Sequence, residues 1–402
     1  MKIGIIREGK NPPDKRVAFM PAQLKEIQAS YGDDISFVVQ SSEVRTIKDH
    51  EYLDEDVAVV EDVSTCDVFF GVKEVQIDQL IPEKTYFFFS HTMKKQSYNR
   101  KLLQAVLEKN IRLIDYEVLK DEFGNRVVAF GRWAGIVGSY NAFWTYGKKT
   151  ALFDLKRAHE CHDLDELGQE LIKVQLPPIK IVITGTGRVA KGAAEVLEKL
   201  QIKQVSIEEF LFRYLEEPVF VMLKTEDYNR RKSDGGYDKT EFYEYPELYE
   251  SHFQKFTEVA EILIASAYWD PEAPRLFDLT DVASDDFQIS VIADISCDVN
   301  GSVPTTVKTS TIIDPVFDID RLTGRAISAF GSQTSISVMA IDNLPCELPR
   351  EASREFGENL SKWIIPELFK EISAMLERAT IARDGDLTLE FMYLSDFVRE
   401  DD

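Results

Sequence analysis

The chain has 402 residues, a length for which two domains are the natural expectation. It is 44% hydrophobic and carries 15 Tyr and 25 Phe, enough to build well-buried cores. Its formal net charge of −23 excludes a general affinity for nucleic acid or anionic membranes, which requires clustered Lys and Arg, but leaves room for small anions in a local basic pocket.

Strand-like and helix-like stretches alternate from the start. Lys2 to Arg7 reads as a short strand, and it lacks the longer apolar region and small-residue cleavage site of a signal peptide. Pro21 opens a helical pattern running through Ile27. Ile35–Val39, Val57–Val60, Asp67–Val72 and Thr85–Phe89 are short, apolar and rich in β-branched or aromatic residues, with a helical pattern at Tyr98–Glu108. Such alternation predicts an α/β fold with a parallel sheet. Asp121–Asn125 reads as a turn. Ile136–His162 is a mostly apolar run without proline, predicted to be one helix linking two domains. Residues 214–260, acidic and aromatic, look like an insertion on the second domain. Ile289–Ile295 and Ala326–Ser328 read as further strands, Leu360–Arg378 as helix, and Asp401–Asp402 as a frayed end.

Cys66, Cys161, Cys297 and Cys346 lie far apart without a Cys-x-x-Cys pair, so buried reduced thiols are expected rather than disulfides or a zinc site, and no metal is expected. No apolar run approaches the ~20 residues needed to span a bilayer. The expectation is a soluble, cytoplasmic protein.

Lys180–Thr184 has the pattern of a buried strand. It runs straight into Gly185-Thr186-Gly187-Arg188-Val189-Ala190, and a helix follows through Leu200. This is G-x-G-x-x-G/A in its strand–turn–helix setting: Gly185 for the tight turn, Gly187 for close approach to a pyrophosphate, Ala190 for helix–sheet packing. A turn that binds nothing is the alternative. The acid expected ~20 residues on would fall near Val205, whereas the nearest, Glu208 and Glu209, come late. Arg188 suits a 2′-phosphate equally, so NAD and NADP both stay open.

In the first half, Asp67–Val72 runs into Lys73-Glu74, and Tyr86–Ser90 runs into His91. Ligands of open α/β sheets bind beyond the carboxyl ends of strands, so Lys73 and His91 delivered there by consecutive strands are candidates for moving protons together. Arg16, Glu117 and Arg126 are further charges in apolar settings, each of which could be a structural ion pair instead.

Arg16-Val17-Ala18-Phe19-Met20-Pro21 resembles the opening motif of alanine dehydrogenases, transhydrogenases and lysine-forming saccharopine dehydrogenases. Phe88–Thr92, Asp115–Glu117, Val128–Gly131 with Ala134-Gly135, Thr184–Gly187, Tyr237-Asp238, Pro246–Tyr249, Tyr268-Trp269, Asp294–Ser296, Asn300–Ser302 and Ile341–Pro345 resemble the saccharopine-forming, lysine–ketoglutarate reductase branch. They span nearly the whole chain.

The resemblance implies two Rossmann-like parallel-sheet domains flanking an active-site cleft, with 1–135 plus 333–402 as the catalytic domain and 136–332 as the dinucleotide-binding domain. It makes Lys73 and His91 the acid/base pair, and lines the substrate pocket with Arg16, Glu74, Lys94, Glu117 and Arg126. It puts Gly185, Thr186, Gly187, Arg188 and Val189 at the pyrophosphate, with Ser266 and Asp342 near the cofactor, NAD or NADP. The implied reaction interconverts L-lysine plus 2-oxoglutarate and saccharopine. Nothing in these residues corresponds to the saccharopine-cleaving domain that some members carry. Implied partners are a small amino acid and a 2-oxo acid, with no nucleic acid or membrane, in a monomer or homodimer. An alanine dehydrogenase using pyruvate and ammonia is the rival enzyme. A non-catalytic NAD(P)-binding sensor is the rival from another class.

Overall fold

The computed structural model describes residues 1–399, in which the chain divides into two units, Met1–Phe130 with the segment from Pro349, and Gly131–Leu348. The expected frayed end at Asp401–Asp402 lies outside the described residues.

The first unit is built on β1 (Lys2–Ile5), β2 (Ser36–Gln40), β3 (Ala58–Val60), β4 (Val68–Phe70), β5 (Thr85–Phe88) and β6 (Arg112–Asp115). These run parallel in the order β3-β2-β1-β4-β5-β6, the doubly wound arrangement whose direction reverses between β1 and β4. Helices cover both faces, so the strands are apolar throughout rather than alternating. Val68–Phe70 pairs in register with Thr85–Phe87, which stacks Phe69 on Tyr86 and Phe70 on Phe87, centroids 4.8 and 4.5 Å apart. Consecutive side chains on a strand point to opposite faces, so one register supplies an aromatic pair to each side of the sheet.

The segment from Pro349 completes this unit. Helix Pro349–Trp363 packs on helix Pro21–Tyr31 so closely that a Cβ at Gly357 would sit 2.0 Å from Gln23 Oε1. The Ser353 hydroxyl accepts the Val17 N–H at 2.9 Å, and Thr380–Arg383 adds antiparallel to β6.

The second unit holds β7 (Lys180–Thr184), β8 (Lys203–Gln204), β9 (Val219–Leu223), a separate ribbon of β10 (Asn229–Arg231) and β11 (Tyr249–Ser251), then β12 (Ile262–Ala265), β13 (Val291–Asp294), β14 (Val316–Ile319), β15 (Ala326–Ile327) and β16 (Ile336–Met339). Its eight-stranded sheet runs β8-β9-β7-β12-β13-β16-β14-β15, parallel except where β14 pairs antiparallel with both β16 and β15. Helix Gly131–Thr150 lies against helix Arg188–Lys199 at two glycines: a Cβ on Gly135 would fall 2.0 Å from Val189 O, and one on Gly192 2.1 Å from Arg132 O.

The structure corrects several expectations. The second unit extends from Gly131 to Leu348 rather than 136–332, because the long helix starts at Gly131 and Ile336–Met339 pairs with β13. That helix stops at Thr150 instead of His162, where Ala151 turns to a left-handed φ of 59°. Residues 214–260 are not all insertion, since Val219–Leu223 is a central strand and the chain leaves the sheet only after Leu223. Leu360–Arg378 is not one helix: Pro366 has no N–H to continue it, and the chain resumes a helix at Ala374–Ala379. Among the described residues no helix is long and apolar enough to cross a membrane.

Candidate active site

Four strand ends of the first unit deliver charge to one edge. Glu8 and Lys10 follow β1, Lys73 and Glu74 follow β4, His91 follows β5, and Glu117 follows β6. Glu8 ties the first two loops together, its carboxylate accepting the Val72 N–H at 2.7 Å and the Lys73 N–H at 2.8 Å. Burial, then the nearby Asp14 carboxylate, push the Glu8 pKa up to about 8. Asp14 holds Arg16 through Nε at 3.0 Å and through Nη2, with both side chains nearly sealed from solvent.

Lys73 stands beside this cluster. Its ammonium makes no hydrogen bond or ion pair among the described residues. Burial, followed by the positive charges of Arg16 and Lys10, lowers its pKa from the ordinary lysine value.

His91 lies between two carboxylates. Its Nδ1 is 3.3 Å from Glu117 Oε2, and its Nε2 is 3.7 Å from Glu74 Oε1. The residue takes a left-handed backbone, φ 54°, unusual for a side chain with a Cβ, and its ring lies nearly parallel to that of Phe89. Glu117 is placed by buried Asp115, which accepts the Glu117 N–H at 2.7 Å and the Ser90 N–H at 2.9 Å. Burial alone would raise the Glu117 pKa, but the bond to His91 and the Lys94 ammonium at 3.0 Å hold it down at about 2. Glu74 Oε2 meets Lys10 Nζ at 3.3 Å, whereas Glu74 Oε1 is buried and accepts no hydrogen bond among the described residues. An oxygen in that state costs free energy until a donor arrives.

The structure thus brings Glu74, His91, Lys94 and Glu117 into one contact set. Arg16 and Arg126 join through aromatic faces, with the Arg16 guanidinium 4.2 Å from the centroid of Phe130 and that of Arg126 5.8 Å from the centroid of Phe89. Sequence reasoning missed Glu8, Lys10, Asp14 and Asp115. Glu8 follows the carboxyl end of β1, so the rule that selected Lys73 and His91 applied equally to it.

In the second unit, Gly185 takes φ +93°, and a Cβ there would press on Ala267 at 3.2 Å. Gly187 caps helix Arg188–Lys199 with nothing within 4 Å of a Cβ position, so the loop leaves open space over the helix N-terminus. Thr186, Gly187 and Arg188 are exposed and Val189 partly so, while Ala190 is buried under the helix. Ser266 donates its hydroxyl to Thr184 O at the end of the neighbouring strand. Asp342 follows β16, with Oδ1 4.0 Å from Cys297 Sγ. Beside the loop is a cavity of about 130 Å³ lined by Thr184, Thr225, Tyr228, Phe242, Tyr243 and Trp269 among others. Glycine cradle, open helix end and adjoining aromatic cavity fit a dinucleotide.

Both units are doubly wound α/β sheets with their charged or open loops beyond the carboxyl strand ends, the architecture of Rossmann-like proteins. Residues 4–137 match a family model described as the alanine dehydrogenase/PNT N-terminal domain. The chain is 32% identical to mitochondrial alpha-aminoadipic semialdehyde synthase of Mus musculus, over 96% of this chain and 47% of that protein. It is 25% identical to saccharopine dehydrogenase (NAD(+), L-lysine-forming) of Emericella nidulans, over 88% of this chain and 89% of that one. The chain spans about half the length of the synthases it matches. Among solved structures, an L-alanine dehydrogenase superposes with TM-score 0.64 at 15% identity, covering 99% of this chain and 100% of that one. A transhydrogenase from Sinorhizobium meliloti gives 0.61 at 14%, covering 96% and 100%. These two likenesses show the fold.

Proposed function

We propose that this chain is an NAD(P)-dependent oxidoreductase acting on a C–N bond, interconverting L-lysine plus 2-oxoglutarate with saccharopine. The observation that carries this reading is Glu74 Oε1, a buried acceptor without a donor, 3.7 Å from the ring nitrogen of His91. A substrate amine satisfies that oxygen and lies beside a group able to exchange its proton. The name of the L-lysine-forming saccharopine dehydrogenase that aligns along most of the chain favours lysine as the amine.

Lys73, with its lowered pKa, takes the proton from the lysine ε-ammonium. The neutral amine adds to the keto carbon of 2-oxoglutarate, giving a carbinolamine. The Lys73/His91 pair returns that proton through His91 Nε2, Nδ1 being held by Glu117, to the departing hydroxyl, and water leaves an imine. Residues 185–189 would hold the dinucleotide, which would supply the hydride for reduction of the imine to the secondary amine. Lys94 and Arg126 suit the substrate carboxylates. Arg16 acts through its charge on Lys73, since Asp14 already occupies its fork.

The test is oxidation of NADH or NADPH followed at 340 nm with lysine and 2-oxoglutarate, each substrate alone, and pyruvate with ammonia. Turnover that needs both lysine and 2-oxoglutarate supports the reading. Turnover only with pyruvate and ammonia replaces it by an alanine dehydrogenase. Dinucleotide binding without turnover on any pair replaces it by a sensor.

A further inference from the structure

A groove of about 690 Å³ lies in the first unit beside Glu74, lined by Lys10, Val75, Ile77, Tyr98, Asn99 and Leu102 among others. Its walls come from the loops after β1 and β4 and from helix Arg100–Glu108 with the turn before it. The two loops are tied together where Gln76 Nε2 donates to Gly9 O at 2.6 Å.

Asn99 directly precedes that helix, a position where an asparagine side chain normally caps the first free N–H groups. Here it makes no such bond. The residue is only 3% exposed, and its Nδ2 donates to nothing among the described residues. The amide is therefore a buried donor without an acceptor. It lines the same groove as Glu74, whose Oε1 is a buried acceptor without a donor. Each atom costs free energy until a partner arrives.

The two orphaned atoms are of opposite kind, and they do not satisfy each other. A ligand that answers both donates at one point and accepts at another. Lys10 Nζ, 3.3 Å from Glu74 Oε2, adds a positive charge to the lining and favours an anionic acceptor over a neutral one. Asp78 also lines the groove, but it is exposed to water, which screens its repulsion. Lys109 takes no part, since its ammonium is committed to Ile77 O at 2.9 Å and Leu80 O at 2.8 Å. Val75, Ile77 and Leu102, with the ring of Tyr98, supply apolar surface for a methylene chain. An aliphatic amino acid with amine and carboxylate at opposite ends of its chain matches all of these features.

We propose that this groove holds the amine substrate along its length, with the reacting amine on Glu74 Oε1 and the carboxylate on Asn99 Nδ2 and Lys10. Asn99 is then the residue that distinguishes an ω-amino acid from a plain amine, and Lys94 and Arg126 are left for the carboxylates of the 2-oxo acid. The proposal rests on the reading of Glu74 as acceptor of the substrate amine and extends it to the rest of that substrate.

The experiment compares L-lysine with 1,5-diaminopentane, which is lysine without its carboxylate. Each is followed by NADH or NADPH oxidation at saturating 2-oxoglutarate, the diamine as a substrate or as an inhibitor competing with lysine. The full chain is used as wild type, Asn99→Ala and Asn99→Asp, with thermal melts to verify that each is folded. Asn99→Ala is expected to raise KM for lysine about ten- to a hundredfold, as for loss of a charge-assisted hydrogen bond, with kcat within about threefold and the diamine within about twofold. Asn99→Asp sets a carboxylate against a carboxylate, so it loses more with lysine and gains with the diamine, whose second ammonium it now meets. An unchanged lysine KM in a folded Asn99→Ala overturns the proposal. An equal loss with both amines also overturns it and makes Asn99 a structural residue. No turnover of lysine by wild type removes the amine reading itself and the groove assignment with it, a result distinct from an unaltered KM in an active enzyme.

Discussion

Glu117 holds His91 by one oxygen and Lys94 by the other, with His91 Nδ1 3.3 Å from Oε2 and Lys94 Nζ 3.0 Å from Oε1. A carboxylate at Nδ1 fixes which ring nitrogen keeps its proton and leaves Nε2 to face Glu74. Replacing Glu117 with Gln keeps the shape and removes the charge. We expect Glu117→Gln to lower kcat by roughly ten- to a hundredfold, and His91→Asn by about 10²–10⁴-fold, the usual span for losing a general acid–base. Steady-state rates with both substrates saturating check this. An unchanged kcat in His91→Asn would remove the imidazole from the mechanism.

Lys73 gives a sharper discrimination, because its proposed work needs a nitrogen that can lose its proton. Arginine preserves the positive charge but stays protonated in proteins. Lys73→Arg should therefore be as inactive as Lys73→Met, both falling about 10²–10⁴-fold. Burial is the main cause of the lowered Lys73 pKa, and Lys10 adds to it by repulsion. In Lys10→Met the acid limb of the kcat/KM profile should move to higher pH, since one charge opposing the Lys73 ammonium is gone. A limb that stays put assigns it to another group.

Much of this was legible in the sequence, and the misses have physical causes. Lys73, His91 and the Gly185 loop each sit where a strand ends, and a run of buried β-branched and aromatic residues announces a strand clearly. Val219–Leu223 was hidden because acidic residues and a proline precede it and an acidic, aromatic ribbon comes after it, so its surroundings masked a central strand. Its pairing with β7 is a long-range choice that no local pattern encodes. Asp14 and Asp115 were missed for another reason. A buried aspartate that anchors a functional residue looks in sequence like any turn aspartate, and only its partners, Arg16 for one and the Ser90 and Glu117 N–H groups for the other, reveal it.

Glu8 makes a prediction for stability. Its pKa rises from an ordinary 4.5 to about 8 in the folded chain, through burial first and Asp14 second. A carboxyl raised in this way favours folding fully below about pH 4.5, and that contribution is lost as pH climbs through about 8. Between those values the folded chain holds a proton that the unfolded chain gives up. Urea midpoints measured from pH 5 to 9 should fall for wild type relative to Glu8→Gln, whose side chain does not titrate. Parallel curves would mean that Glu8 ionises normally.

The two kinds of glycine around the dinucleotide loop separate folding from binding. Gly135 and Gly192 lie where two helices touch, and a Cβ at either would come within 2.0 or 2.1 Å of a backbone oxygen. Helix backbones cannot yield that distance without parting, so Gly135→Ala should destabilise the second unit by about 1–3 kcal/mol or more, the cost of overpacking. Gly187 has φ −78° and nothing within 4 Å of its Cβ position, so alanine fits the empty loop without strain. Its methyl group would, however, stand where the backbone must approach a pyrophosphate. Gly187→Ala should therefore melt like wild type and bind both dinucleotides about tenfold or more weakly. Calorimetric titration beside a thermal melt reads both quantities. If Gly187→Ala binds both dinucleotides as wild type does, the pyrophosphate does not lie over this loop.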